Sequence, residues 1–193
     1  MTPRLEMPCD GRLLLHSCCA PCSGAVIECL MDNGIRPTVF FSNYNIVPRE
    51  EYDLRRDEIV RYAGKFSIET VEDEYDHEAW LGCVKGLETE PERGVRCMQC
   101  FHFRLLRAAR YAAANGYGVL ATTLASSRWK DMAQVNAAGM RACGEVNAGL
   151  GREAVVWWPQ DWRKGGLQPR RSEIIREQNF YNQTFCGCEF SKK

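Results

Sequence analysis

Short apolar runs alternate along the chain with segments whose apolar positions recur every three to four residues. Residues 12–16, 37–41, 67–71, 118–123 and 154–158 read as buried strands. Residues 21–33, 49–63, 76–85, 101–115 and 131–143 carry the helical period. Pro21 suits a first helical turn, and Asn33-Gly34 a stop. Each helix separates two strands, except that two share one gap. This alternation predicts an α/β fold: a mainly parallel five-stranded sheet with helices on both faces, joined by right-handed crossovers. Segments 86–96 and 159–169 are long enough to be functional loops.

With 193 residues, 45% of them apolar, the chain suits one domain. Residues 12–193 are assigned to it and residues 1–11 to an N-terminal tail. In such a sheet the ligand crevice lies beyond the carboxyl ends of the strands, so the residues just after each strand matter most. No apolar run approaches the roughly 18 residues of a membrane span. Glu6 and the nearby prolines stand where a secretory signal would place a cationic end and an apolar stretch, so a cytoplasmic, reducing location is expected. The 25 basic and 25 acidic residues cancel, so nucleic-acid binding would need a local patch.

Cysteine changes this picture most. Eleven cysteines are far above ordinary cytosolic usage, and clustered thiols in a reducing compartment are more often metal ligands or redox groups than bridges. Cys18, Cys19 and Cys22 fall where the first strand turns into a helix, whose N-terminus favours thiolates. Cys97 and Cys100 open a later helix, and Cys186-Gly187-Cys188 stands near the C-terminus. Cys22 and Cys97 are about 75 positions apart, whereas a zinc ribbon joins its pairs through roughly 15–20 residues, so any shared site is assembled by the fold. Seven clustered thiols exceed the four that a tetrahedral zinc or a cubane cluster takes. Cys18 with Cys19 and Cys97 with Cys100 could supply four ligands. Cys186 and Cys188 would then form a dithiol or a second metal site, and Cys22 is spare.

Other residues admit plainer readings. Cys29 reads as core, and Cys9, Cys83 and Cys143 as non-ligands; His16 reads as a satisfied core imidazole, and nothing beside His77 or His102 suggests more. Thr123, in the hydroxyl-rich stretch after the fourth strand, could hold an anion or a ribose, or simply cap a helix. Trp157 to Lys164 mixes aromatic faces with cations, as platforms for unpaired bases do, and an aromatic core edge explains it equally well.

The combination Cys18-Cys19-Ala20-Pro21-Cys22, Tyr44-Asn45, Glu51-Tyr52-Asp53-Leu54-Arg55 and Cys97-Met98-Gln99-Cys100-Phe101 with Arg104-Leu105 resembles the epoxyqueuosine reductase QueH family. Thr122-Thr123-Leu124, Asp161-Trp162-Arg163, Tyr181-Asn182-Gln183 and Cys186-Gly187-Cys188 follow in that family's order, so the resemblance covers about residues 12–191. Trp129 and Phe185 depart from it, standing where the family pattern has tyrosine, and Arg128 stands in a segment usually rich in proline and lysine.

The resemblance implies reduction of an epoxide on a modified tRNA anticodon base to the cyclopentene, with a [4Fe-4S] cluster and an adjacent iron, and without cobalamin. It also implies a fold similar to ATP-loop (HUP-like) nucleotide enzymes. Their phosphate turn is replaced here by Ser17-Cys18-Cys19-Ala20-Pro21-Cys22, so no ATP is expected. Cluster ligands are expected among Cys18, Cys19, Cys97 and Cys100, with Cys22, Cys186 and Cys188 as further metal ligands.

Two electrons and two protons are needed, and a cubane cluster ordinarily passes single electrons. The Cys186/Cys188 dithiol or a second iron would be the partner, supplied by a low-potential donor. By motif position Asp161 or Tyr181 would deliver protons, and Tyr44, Asn45, Arg55, Thr123 and Arg163 would bind substrate. Arg163, Lys164, Arg170, Arg171 and Arg176 form the expected phosphate-binding surface. The competing readings are a tRNA sulfur-transfer enzyme of related fold and a non-catalytic zinc module.

Overall fold

Strands and helices alternate along the computed structural model, which describes residues 2–191. The strands are β1 (Leu13–Ser17), β2 (Thr38–Phe41), β3 (Thr70–Glu72), β4 (Val119–Thr122) and β5 (Val156–Trp157). They form one sheet in the order β3-β2-β1-β4-β5, and every neighbouring pair is parallel. Helices cover both faces, as the alternating pattern predicts. Leu13 and Leu15 pack toward α1 (Ala20–Asp32) and α2 (Arg49–Gly64), whereas Leu14 packs with Leu105 and Ala108 of a long helix on the opposite side. A smaller cluster gathers Tyr44, Cys100 and Cys188 around Trp80 of α3 (His77–Val84).

The long helix is α4 (Val95–Ala114). Its buried Phe101, Leu105, Ala108 and Ala112 recur at helical spacing and form one apolar stripe. It begins earlier than the apolar period suggests, so Cys97 and Cys100 lie inside its first turns. Helix α5 (Met132–Leu150) starts where the Asp131 carboxylate accepts from the Ala133 and Gln134 amides, at 2.8 and 3.2 Å. It continues through Gly144 and ends at Gly151, whose φ of 64° is the left-handed stop that favours glycine. Helix α6 (Leu167–Glu177) occupies a stretch with no clear helical period, because only Leu167 and Ile174 are buried. Its Pro169 lies in the first turn, where a missing N–H is harmless.

Residues before β1 are anchored to the body. Leu5 is buried, its amide donates to Asn33 Oδ1 at 2.9 Å, and Asn33 Nδ2 donates to the Pro3 carbonyl at 3.0 Å.

The sheet order reverses between β1 and β4, which makes their carboxyl ends the switch point. His16 pairs there with Thr122 in the strand register. The fully buried imidazole is held by Thr122 Oγ1 at Nδ1 (2.7 Å) and by the Ser42 carbonyl at Nε2 (3.0 Å). A carbonyl only accepts, so Nε2 carries the proton and Nδ1 accepts from the threonine. Burial, reinforced by the Arg104 guanidinium, lowers the pKa to about 3. His16 is thus a neutral strut of the core.

Among the glycines, the closest approach is where α5 crosses β5: a Cβ on Gly139 would lie 2.3 Å from Cδ2 and Cε2 of Trp157. Gly139→Ala is therefore expected to cost about 1–3 kcal/mol through overpacking. That corresponds to a melting temperature roughly 2–12 °C lower. Gly144→Ala, on the same helix with open space around it, should show no such loss.

Candidate metal and redox site

The turn after β1 delivers the first three thiols. Cys19 is the N-cap of α1 and leaves the helix's first amides without a side-chain cap. The sulfurs of Cys18, Cys19 and Cys22 all lie within 4.8 Å of one another, with Cys18 and Cys19 at 3.7 Å. A tetrahedral metal bound at about 2.3 Å spaces its sulfurs by roughly 3.8 Å, so the triad could hold a metal ion, or its members could each ligate a cluster iron. Hydrogen bonds from Cys19 and then Cys22 favour Cys18 as the thiolate. The hydrogen bonds that Cys19 and Cys22 make to it, followed by burial and its charge, push those two thiols up.

Hydrogen bonds hold this turn in place. Ser23 Oγ meets Ser17 Oγ at 2.6 Å and donates to the Cys19 carbonyl at 2.8 Å. Thr123 Oγ1 accepts from the Cys18 amide at 3.3 Å and lies 3.8 Å from its sulfur. Asn43 donates to the Ser17 carbonyl at 2.9 Å and in turn accepts from the buried Arg104 of α4. A helix on one face of the sheet thereby fixes a thiol turn that feeds a helix on the other.

Beyond the switch point opens a crevice of about 1250 Å³, and the three cysteine segments meet on its walls. Cys18, Cys19, Cys22, Cys97, Cys186 and Cys188 line it. Cys100 is buried just behind, in the cluster that contains Cys188. Cys97 Sγ accepts from the Arg93 amide at 3.3 Å. Cys186 Sγ lies 2.6 Å from Lys130 Nζ. Burial works against a Cys186 thiolate, but the Lys130 ammonium and Arg104 outweigh it, and the pKa falls. Burial raises Cys97, Cys100 and Cys188. Cys29 and Cys143 sit in the two main cores, Cys9 packs against one of them, and Cys83 on α3 faces the Gln99 carbonyl at 4.0 Å.

The other motif residues separate into two groups. Arg55 lines the crevice, pairs with Glu51 at 2.5 Å, and donates to the carbonyls of Cys186 (3.2 Å) and Phe185 (3.3 Å). Tyr181 donates to the second oxygen of Glu51 at 3.0 Å, so it props the arginine that holds the Cys186 turn. Asn45 is buried beside Gly187, and its amide atoms have no partner among the described residues. Tyr44 is buried, with its ring edge-on to Phe103 at 5.4 Å. Asp161 and Arg163 pair with each other at 2.8 Å, away from the crevice wall. Arg163 holds the Asp161 carboxyl below its usual range, so it is ionised at neutral pH and has no proton to give.

The expected phosphate-binding surface needs revision. Arg170 is occupied by Glu28, Glu173 and Glu177 at 2.6–3.1 Å, so its charge is spent inside the protein. Of that set only Arg171 reaches the crevice. The positive charge instead comes from Arg93, Arg96, Arg104, Arg128, Lys130 and Arg171 on the crevice lining, none within salt-bridge reach of a described carboxylate. Of these, sequence reasoning placed only Arg171 on the basic surface; the others lie on two further segments that come together only in the fold. No described helix is long and apolar enough to cross a membrane.

A parallel α/β sheet with a thiol-lined crevice at its switch point defines a metal- or redox-active protein of the doubly wound class. Comparison with known proteins narrows this. The family model described as Epoxyqueuosine reductase QueH matches residues 13–193. Proteins named Epoxyqueuosine reductase QueH are similar over nearly the whole chain. The one from Histophilus somni is 46% identical over 98% of this chain and 76% of its own length. Those from Haemophilus influenzae (45%; 97% and 75%) and Acinetobacter baylyi (43%; 97% and 84%) follow closely. The chain belongs to the epoxyqueuosine reductase QueH family.

Proposed function

We propose that this chain is an oxidoreductase of tRNA modification that reduces epoxyqueuosine in the anticodon to queuosine. The observation that carries this reading is the convergence of cysteines from three distant segments on one crevice at the sheet's switch point. Family membership supplies the substrate. The crevice volume exceeds the roughly 300–1000 Å³ usual for small ligands, and a nucleotide splayed out of a loop fits such a space.

In this reading Cys18, Cys19, Cys97 and Cys100 hold a [4Fe-4S] cluster. Cys22, Cys186 and Cys188 remain, either to hold a second iron or, in the last two, to act as a dithiol. When bound, these groups supply single electrons and, at an open iron, Lewis acidity toward the epoxide oxygen. The residues of the chain position and neutralise. Arg55 fixes the Cys186 turn through its carbonyl, and the line from Tyr181 through Glu51 to Arg55 makes Tyr181 a positioning residue. Thr123 braces Cys18. Asn45, buried behind the crevice wall beside Gly187, backs the Cys186–Cys188 turn rather than meeting the substrate. Lys130 and Arg104 offset the negative charge of thiolates gathered in a poorly solvated space. The net reaction consumes two electrons and two protons and releases the epoxide oxygen as water. The electrons come from a low-potential donor in the cytoplasm, and no ATP or cobalamin takes part.

The test is anaerobic incubation of the iron-loaded protein with epoxyqueuosine-bearing tRNA and a low-potential reductant, followed by nucleoside mass analysis. Conversion to queuosine is expected. Unchanged epoxide with a full iron complement would overturn the proposal, and ATP-dependent thiolation of tRNA would favour a sulfur-transfer enzyme instead.

A further inference from the structure

Trp129 lines the crevice with 68% of its surface exposed, the most exposed large hydrophobic side chain among the described residues. It stabilises no core there, yet its backbone is held firmly. The Trp129 carbonyl accepts from Arg93 Nε at 3.0 Å, its amide donates to Ser127 Oγ at 3.3 Å, and Gln134 of α5 donates to the Arg93 carbonyl at 2.6 Å. The Arg128 guanidinium lies 5.2 Å from the indole centroid. Arg128 and Arg171 line the same crevice without a described carboxylate partner. Glu92 is the one acidic residue among the lining. A chain of zero net charge has concentrated unneutralised cations around one open aromatic face.

We propose that Trp129 is the stacking platform for an unpaired base adjacent to the target nucleotide, with Arg128 and Arg171 receiving the flanking phosphates. The proposal rests on the reading of this crevice as the site for a tRNA anticodon. A fixed backbone and a largely exposed indole suit stacking, which accepts any base, while the neighbouring guanidiniums meet the phosphodiester charge. Trp129 therefore sets affinity for the loop and takes no part in the redox step.

The test measures equilibrium binding of an unmodified anticodon stem-loop RNA, which carries no epoxide, to the iron-loaded protein. Trp129→Ala is expected to weaken binding by roughly ten- to a hundredfold, whereas Trp129→Phe, which keeps a π-face, stays within about threefold of the parent. With epoxide-bearing tRNA, the loss in Trp129→Ala appears in KM rather than kcat. Arg128→Gln and Arg171→Gln should each reduce the slope of log affinity against log salt by about 0.7. Met140→Ala, which removes another exposed apolar side chain on α5, should bind RNA like the parent.

Parent-like RNA binding by Trp129→Ala overturns the proposal, as does equal weakening by Met140→Ala. Unchanged RNA affinity with slower reduction by a protein electron donor also overturns it and marks the face as a protein interface. The binding assay contains no epoxide, so failure of the parent to reduce epoxyqueuosine would count against the enzymatic reading separately.

Discussion

Replacing Cys97 or Cys100 by serine is expected to give protein with little iron, no broad visible absorbance and epoxide reduction at least a hundredfold lower. Neighbours that merely orient metal ligands already cost about 10–100-fold when mutated, and a lost thiolate ligand is a larger change. Both residues occupy the first turns of α4, on the crevice side of the apolar stripe that anchors the helix to the sheet. Serine keeps the shape, so the helix survives and the loss reports ligation. Cys29→Ala and Cys143→Ala remove buried thiols from the two main cores and are expected to keep iron and activity. Iron content, visible spectrum and activity, all measured anaerobically, check the contrast. Full iron and rate in Cys97→Ser and Cys100→Ser would contradict the assembled centre.

Gly187→Ala is expected to lower activity by about a hundredfold, the loss that a misplacement near 1 Å can cause in a reacting constellation. Gly187 sits at φ 113°, a conformation reserved for glycine, and a Cβ there would lie 2.9 Å from Ile46 Cγ1 and 3.3 Å from Arg55 Nη1. Its carbonyl accepts from the Val47 amide at 2.9 Å, so the turn cannot swing away without breaking that bond. Strain of about 1–3 kcal/mol falls on the residue between Cys186 and Cys188. Because the proposed cluster ligands lie on other segments, the variant should retain its visible absorbance while losing turnover. Single-turnover kinetics alongside iron analysis separates the two effects. A parent-like rate would remove the Cys186/Cys188 pair from the chemistry.

The five parallel strands were legible, though not their order, because parallel strands buried on both faces leave continuous apolar runs, as in Leu13–Leu15 and Val119–Ala121. Helix α6 was not, because its two buried side chains leave no period. The apolar period placed the start of α4 late for a related reason: Arg96 and Cys97 line the crevice, so the apolar stripe begins only at Cys100 and Phe101, although the cysteine pair marked the helix opening. Local cysteine motifs pointed to a candidate metal or redox site, and the strand-end rule pointed to the crevice where the structure gathers those thiols. The electrostatics were another matter. Arg170 looks like a phosphate ligand in sequence and is consumed by three glutamates, whereas Arg93, Arg128 and Lys130 acquire meaning only when folding brings their segments to one opening. Asp161 illustrates the same limit, since its role depends on Arg163 beside it.

The central claim, that three distant cysteine segments hold one inorganic redox centre, is tested most directly by anomalous scattering at the iron edge from anaerobically grown crystals. The predicted result is iron within the crevice, bounded by Cys18 and Cys19 on one side and Cys97 and Cys100 on the other. Zinc alone at these thiols, or no metal bound to them, would contradict it.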